Sequence, residues 1–247
     1  MSCIFNFDDS SEVPEDSPAD IGTSQSPIDI KLAETVAHEF SPFKFSPDHD
    51  NEITLTLKDD GHQVSAVLPE ASESEKEPEL WFTGSDLTGK FSFVNFHLHW
   101  GTSNHDGSEH TFHGHTFPGE AHVVYKNLET EEIAVLGFFF HVVHSPDEEN
   151  RQWKKYAHIA SLLQKGDTMN CTFNLSQLMQ IETKHFVRYM GSLTTPPYTE
   201  GIIWTVFIDS VPILDDCLHL LRYNVMDETY REVQPINDRV IYRNYTD

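Results

Sequence analysis

Two histidines one residue apart carry the strongest chemical signal in this chain of 247 residues. His97 and His99 stand in Asn95-Phe96-His97-Leu98-His99-Trp100, a strand-like run. Side chains alternate along an extended segment, so both imidazoles leave one face while Phe96, Leu98 and Trp100 leave the other. Two imidazoles about 7 Å apart at the backbone can converge on one ion through bonds of about 2.0–2.1 Å. Glu120-Ala121-His122-Val123-Val124 supplies a third imidazole on another strand-like run. Three neutral imidazoles suit Zn²⁺ and leave a fourth coordination position open, which marks a catalytic rather than a structural site. Paired histidines on one strand face are also ordinary structural or surface residues, and that reading stands beside the metal one. His110, His113 and His115 form a rival group. They read as loop residues or supports for the ligands, with a surface metal site as the alternative.

The elements that must position these side chains are mostly strands. Residues 53–57 alternate, Asp59-Asp60-Gly61 is a turn signal, and residues 63–68 read as the return strand of a hairpin. Residues 91–100, 120–125, 133–143, 186–189 and 202–208 are rich in Phe, Val, Ile and Trp and predict further strands. Helical periodicity is confined to residues 151–163 and 215–223. Residues 1–24 read as an irregular acidic arm, residues 41–47 as a Pro-rich loop, and residues 70–79 as a solvated acidic loop. No linker divides the strands, so one domain over residues 1–247 is expected.

Asp and Glu number 40 against 16 Lys and Arg, a net charge of −24. Such a chain repels phosphate backbones and anionic bilayers, which excludes nucleic acid as a partner. No window approaches the roughly 20 apolar residues of a membrane span. Residues 1–20 lack the basic and apolar regions of a signal peptide. Cys3, Cys171 and Cys217 are odd in number and have no metal-ligand spacing, which favours a reducing compartment. Glycosylation sequons at Asn170, Asn174 and Asn244 point toward secretion instead.

Several motifs in order resemble the alpha-class carbonic anhydrases over most of the chain. They are Gln25-Ser26-Pro27-Ile28-Asp29-Ile30, Asp60-Gly61-His62, His97-Leu98-His99-Trp100-Gly101, Ser108-Glu109-His110-Thr111, Glu120-Ala121-His122, Gly191-Ser192-Leu193-Thr194-Thr195-Pro196-Pro197 and Gln234-Pro235-Ile236-Asn237. The resemblance implies a mainly β (α+β) fold: one large, twisted, mostly antiparallel sheet of about ten strands with a few short helices. The metal would lie at the base of a conical cleft. It also implies reversible hydration of CO₂ to bicarbonate and a proton, by attack of a hydroxide on Zn²⁺ held by His97, His99 and His122. Carbonic anhydrase is itself the type example of three-histidine zinc and of a bound water whose pKa falls to about 7.

By the same resemblance Thr194 is the gatekeeper hydroxyl and Glu109 its acceptor. Glu120 orients His122. Asn95 stands where the family usually has Gln beside the first ligand, which predicts a lengthened or water-routed bond. Val124, Val135, Leu193, Thr195, Ile202 and Trp204 match substrate-pocket positions, and His62 matches the proton shuttle. Phe7, Asp60 and Ser65 depart from the usual residues near that shuttle, which predicts an altered proton-transfer step. Sulfonamides and small anions are the implied inhibitors and a monomer the implied state. Secreted members often carry a disulfide from the segment before Gln25-Ser26-Pro27 to the loop after Pro197. Neither region has a cysteine here, which favours a cytoplasmic form over a secreted mature one. The alternatives are a catalytically silent relative serving as a binding domain, which would usually lack a zinc histidine, and an acidic matrix protein.

Overall fold

β-branched and aromatic residues at alternate positions become strand along most of this chain. A computed structural model describes residues 22–70, 78–180, 185–225 and 228–246. The strands are β1 (Asp29–Ile30), β2 (Thr35–Ala37), β3 (Phe43–Phe45), β4 (Ile53–Asp59), β5 (Val64–Val67), β6 (Trp81–Gly84) and β7 (Leu87–Trp100). They continue as β8 (Thr111–Phe112), β9 (Gly119–Asn127), β10 (Ile133–Val143), β11 (Thr168–Phe173), β12 (Phe186–Ser192), β13 (Glu200–Leu214) and β14 (Ile241–Arg243). Three short helices accompany them: α1 (Arg151–Ala160), α2 (Leu175–Met179) and α3 (Asp215–Asn224).

Twelve strands make one twisted mixed sheet. Its main path runs β11-β4-β5-β7-β9-β10-β13-β12-β14-β2, with β3 and β6 branching beside β7. The neighbours are antiparallel except β10 with β13 and β14 with β2. The mainly β fold expected from the sequence is therefore present. Its strand number is met by the main path and exceeded by the branch.

The sheet buries a different core on each face. Phe96, Leu98, Trp100, Ala121, Val123, Tyr125, Leu136 and Phe138 join the larger cluster under helices α1 and α3. Val135, Phe139, Tyr189, Ile202, Trp204 and Val206 form the second cluster on the other face. A bulge in β7 makes this partition possible. Phe93 lies opposite Tyr125 and Asn95 opposite Val124, so Val94 has no partner on β9. The extra residue reverses the alternation. Phe91 and Phe93 before it and Phe96, Leu98 and Trp100 after it all reach the same core, and Asn95, His97 and His99 turn to the opposite face.

Some sequence expectations shift. Residues 41–47 are not a plain loop: they hold β3, whose Phe43 and Phe45 pack on the large core, and lead into a 3-10 turn at Pro47–Asp50. The helix expected over 151–163 ends at Ala160. Beyond it Leu162 and Leu163 bond back only three residues, tightening the last turn, and Gly166 adopts a left-handed φ of 91°. Strand β11 was missed because its residues are mostly exposed and show no apolar alternation. Of the acidic arm only residues 22–24 are described, so Cys3 and Phe7 lie outside the described residues, as do residues 71–77 of the acidic loop. Cys171 and Cys217 are both free. Among the sequons, Asn170 is exposed on edge strand β11. Asn174 is buried and committed, accepting from the Gln177 N–H at 2.8 Å and donating to the Asp50 carbonyl at 2.7 Å.

One buried group couples this fold to pH. His49 is fully buried, its Nδ1 2.9 Å from Ser46 Oγ and its Nε2 3.1 Å from the Tyr125 hydroxyl. Burial strips water from the charged ring and lowers its pKa from 6.5 to about 4. Between those values the unfolded chain binds a proton that the folded chain refuses, so stability falls as pH falls. The contribution is fully present above pH 6.5 and amounts to about 3 kcal/mol lost by about pH 4. A His49→Gln variant should lose less stability than wild type across that window in urea unfolding. Equal acid sensitivity would clear His49 as the source.

Candidate metal centre

Strands β7 and β9 pair antiparallel with His97 directly opposite His122 and His99 opposite Glu120. Residues opposite one another share a face, so three imidazoles meet on the side turned away from the large core. Their ring centroids lie 5.0 Å (His97–His99), 5.3 Å (His97–His122) and 4.5 Å (His99–His122) apart. One nitrogen from each lies within 4.8 Å of the others. His99 and His122 are each 1% exposed and His97 8%, so solvent reaches the group from the His97 side.

Hydrogen bonds on the outer nitrogens decide which atoms face inward. His97 Nδ1–H donates to Asn95 Oδ1 at 2.9 Å. His99 Nδ1–H donates to the Thr229 carbonyl at 2.6 Å. His122 Nε2–H donates to Glu120 Oε1 at 2.8 Å. The lone pairs left over are Nε2 of His97, Nε2 of His99 and Nδ1 of His122. Burial, reinforced by the neighbouring rings, holds His97 well below its ordinary pKa, and burial lowers His99 as well. Both stay neutral, as metal ligands must be. The Nε2 of His99 is buried with no hydrogen-bond partner among the described residues. A buried acceptor without a partner costs about 1–3 kcal/mol, and a cation at the meeting point of the three lone pairs would remove that cost. The residues therefore fit a tetrahedral zinc ion with one open position. The short Asn95 side chain needs no water relay, contrary to the sequence expectation. It sits two residues before His97 on the same face and reaches the ring directly.

Glu120 is the hub behind His122. Its carboxylate accepts the His110 backbone N–H at 2.8 Å and the His110 ring at 2.7 Å as well as His122. His110 Nε2 in turn lies 2.6 Å from the Tyr189 hydroxyl, which lies 2.7 Å from Ser26 Oγ. Burial alone would raise the Glu120 carboxyl, but the attached His110 and His122 rings outweigh it and hold the group well below the usual carboxylate range. His110, Glu120 and His122 also lie close enough to share a metal, yet their facing atoms are spent on one another. His113 and His115 are exposed and apart from His110, so the rival histidine group separates into one buried support and two surface residues. Gly137 stands opposite His122; a Cβ there would come 3.1 Å from Glu120 Oε1.

Glu109 is buried beside the ligands. Its Oε1 accepts the Arg231 backbone N–H at 3.0 Å, while Oε2 lies 3.8 Å from His122 Nδ1. That Oε2 has no hydrogen-bond partner among the described residues, so the bond expected from the Thr194 hydroxyl is not closed in this structure. Thr194 itself is buried on the loop after β12.

The model of the eukaryotic-type carbonic anhydrase family matches residues 9–245. The chain belongs to that family. It is 32% identical to the Caenorhabditis elegans protein named "Putative carbonic anhydrase 3", over 89% of this chain and 89% of the relative. It is 30% identical to carbonic anhydrase 4 of Rattus norvegicus, over 90% of this chain and 75% of the relative. Carbonic anhydrase 6 of Mus musculus is also 30% identical, over 95% of this chain and 78% of the relative.

Five of the six residues named from the sequence for the pocket lie in one apolar cluster. Val124 lies opposite Asn95 on one side and Val135 on the other, and Val135 lies opposite Trp204, a row that crosses β7, β9, β10 and β13. Leu193 and Ile202 pack in the same apolar cluster, and the Trp204 ring meets His122 edge-on at 4.8 Å. Thr195, the polar sixth, is exposed. His62 is exposed on the β4–β5 turn, three residues before Ser65, which lies opposite His97. At the strand rise of about 3.3 Å per residue this places it on the order of 10 Å along the chain from the ligand row. Asp60 Oδ1 accepts the backbone N–H of His62 and Gln63 at 2.7 and 2.8 Å, so it shapes the turn. Ser65 Oγ accepts the Gln63 amide at 2.9 Å. Sequence reading missed Thr229 and Arg231, whose backbone groups hold His99 and Glu109.

Proposed function

We propose that the chain is an active carbonic anhydrase, its residues 1–247 one catalytic domain, with zinc held by His97, His99 and His122. The observation that carries this reading is the inward set of three imidazole nitrogens, one of them an orphaned buried atom. A zinc ion there would supply a Lewis acid that lowers the pKa of a bound water, to about 7 in the carbonic anhydrases already known, and so a nucleophile at neutral pH. Asn95, the Thr229 carbonyl and Glu120 fix the three ring tautomers. Val124, Val135, Leu193, Ile202 and Trp204 offer an apolar wall on which CO₂ can rest without losing hydrogen bonds. Glu109 Oε2 is the acceptor toward which Thr194 would donate, leaving the hydroxyl only lone pairs to offer an incoming ligand.

His62, exposed on the turn between β4 and β5, is the imidazole suited to carry the proton out. Stopped-flow hydration of CO₂ in dilute buffer tests both parts. Wild type should turn over well above the solution rate. His62→Ala should fall at least about tenfold and recover with added imidazole. Unchanged buffer-independent turnover in that variant would refute the shuttle, and no turnover in wild type would refute the enzyme.

A further inference from the structure

Both halves of the gatekeeping pair are tied to one residue that plays no part in the mechanism above, one through its backbone and the other through its side chain. The backbone N–H of Arg231 donates to Glu109 Oε1 at 3.0 Å. Its guanidinium Nη1 donates to Gln25 Oε1 at 2.9 Å and to the Ser26 carbonyl at 2.7 Å. The same guanidinium lies over the Tyr198 ring, its carbon 3.8 Å from the ring centroid. Tyr198 closes the loop that carries Thr194: its N–H donates to the Thr195 carbonyl at 2.9 Å, and the Leu193 N–H donates to the Thr199 carbonyl at 2.9 Å. Gln25 completes the ring of contacts, its amide donating to the Tyr198 carbonyl at 3.2 Å and to Glu200 Oε1 at 3.0 Å. A guanidinium can stack and donate in its plane at once, which lysine cannot do. Arg231 therefore grips the Thr194 loop through its side chain and Glu109 through its backbone.

We infer that Arg231 is a positioning residue that sets which anions the open metal position accepts, an inference that rests on the metal site proposed above. Glu109 Oε1 is held by the Arg231 backbone, and its Oε2 is buried with no partner among the described residues. A Thr194 hydroxyl that gives its proton to Oε2 can only accept from a ligand. Ligands that carry a proton at the binding atom are then favoured over those that do not. Release of the guanidinium frees the Thr194 loop relative to Glu109, and that preference declines.

The test compares dissociation constants for benzenesulfonamide, which keeps an N–H at its binding nitrogen, and thiocyanate, which has no proton, on zinc-loaded wild type, Arg231→Met and Tyr198→Leu. The ratio of thiocyanate to sulfonamide constants should fall about tenfold or more in Arg231→Met, the scale of a lost hydrogen bond from a charged group. It should fall less in Tyr198→Leu, which removes the stack alone, while zinc content stays at one per chain in all three. A folded, zinc-loaded Arg231→Met with the wild-type ratio overturns the inference. Should that variant not fold, Gln25→Leu removes one acceptor of the guanidinium, and an unchanged ratio there overturns it equally. Wild type that binds zinc and both anions without hydrating CO₂ defeats the enzyme reading and leaves this one standing; wild type that takes up no zinc defeats both.

Discussion

Alanine at position 97 should abolish CO₂ hydration and strip the chain of zinc. His97 brings one of the three inward lone pairs, and its Nδ1–H is already pledged to Asn95. The variant leaves His99 and His122, two ligands on neighbouring strands, with no third side chain among the described residues positioned to replace it. Zinc-binding free energies of about 10–16 kcal/mol spread over four ligands imply a loss on the order of 100- to 1000-fold in affinity. Dialysis against a weak chelator followed by metal analysis would show zinc retained by wild type and lost by His97→Ala. Retention of zinc and turnover by the variant would place the centre elsewhere.

Glu120→Gln should have the next largest effect, and on two readouts at once. The carboxylate accepts three N–H donors, two from His110 and one from His122. An amide of the same size offers one oxygen and an NH₂ group, so at least one buried N–H would face another N–H. Even with the amide oxygen at the Oε1 position, His122 trades a charged acceptor for a neutral one, which weakens the bond that fixes its tautomer, and zinc affinity should drop about 10- to 100-fold. The fold should lose about 1–3 kcal/mol, the usual cost of a buried N–H left without an acceptor. Chelator competition and urea unfolding measure the two effects. Unchanged zinc affinity would mean that Glu120 only braces His110 and Tyr189.

Spacing and alternation made part of this legible. The β4–β5 hairpin, the long β10 and the one-face placement of His97 and His99 all follow from a period of two. The reversal between Phe93 and Phe96 was also present in the sequence, but only paired strands show that Val94 is the residue left over. The apolar wall is a different case. Val124, Val135 and Trp204 could be ordinary sheet residues, and resemblance rather than pattern singled them out. Their common row appears only once β10 is seen to lie parallel to β13. Thr229 and Arg231 left no signal at all. They hold His99 and Glu109 through a backbone carbonyl and a backbone N–H on residues 130 and 122 positions away, and any residue but proline has both groups. The Thr194–Glu109 bond shows the reverse limit: a motif names both residues, while the side-chain geometry leaves Glu109 Oε2 open.

The most direct measurement titrates zinc into metal-free wild type while CO₂ hydration is followed by stopped flow in the same samples. Turnover should rise in proportion to zinc, stop at one ion per chain, and be absent from His97→Ala at every zinc concentration. Zinc taken up at one per chain with hydration no faster than in His97→Ala would contradict the account.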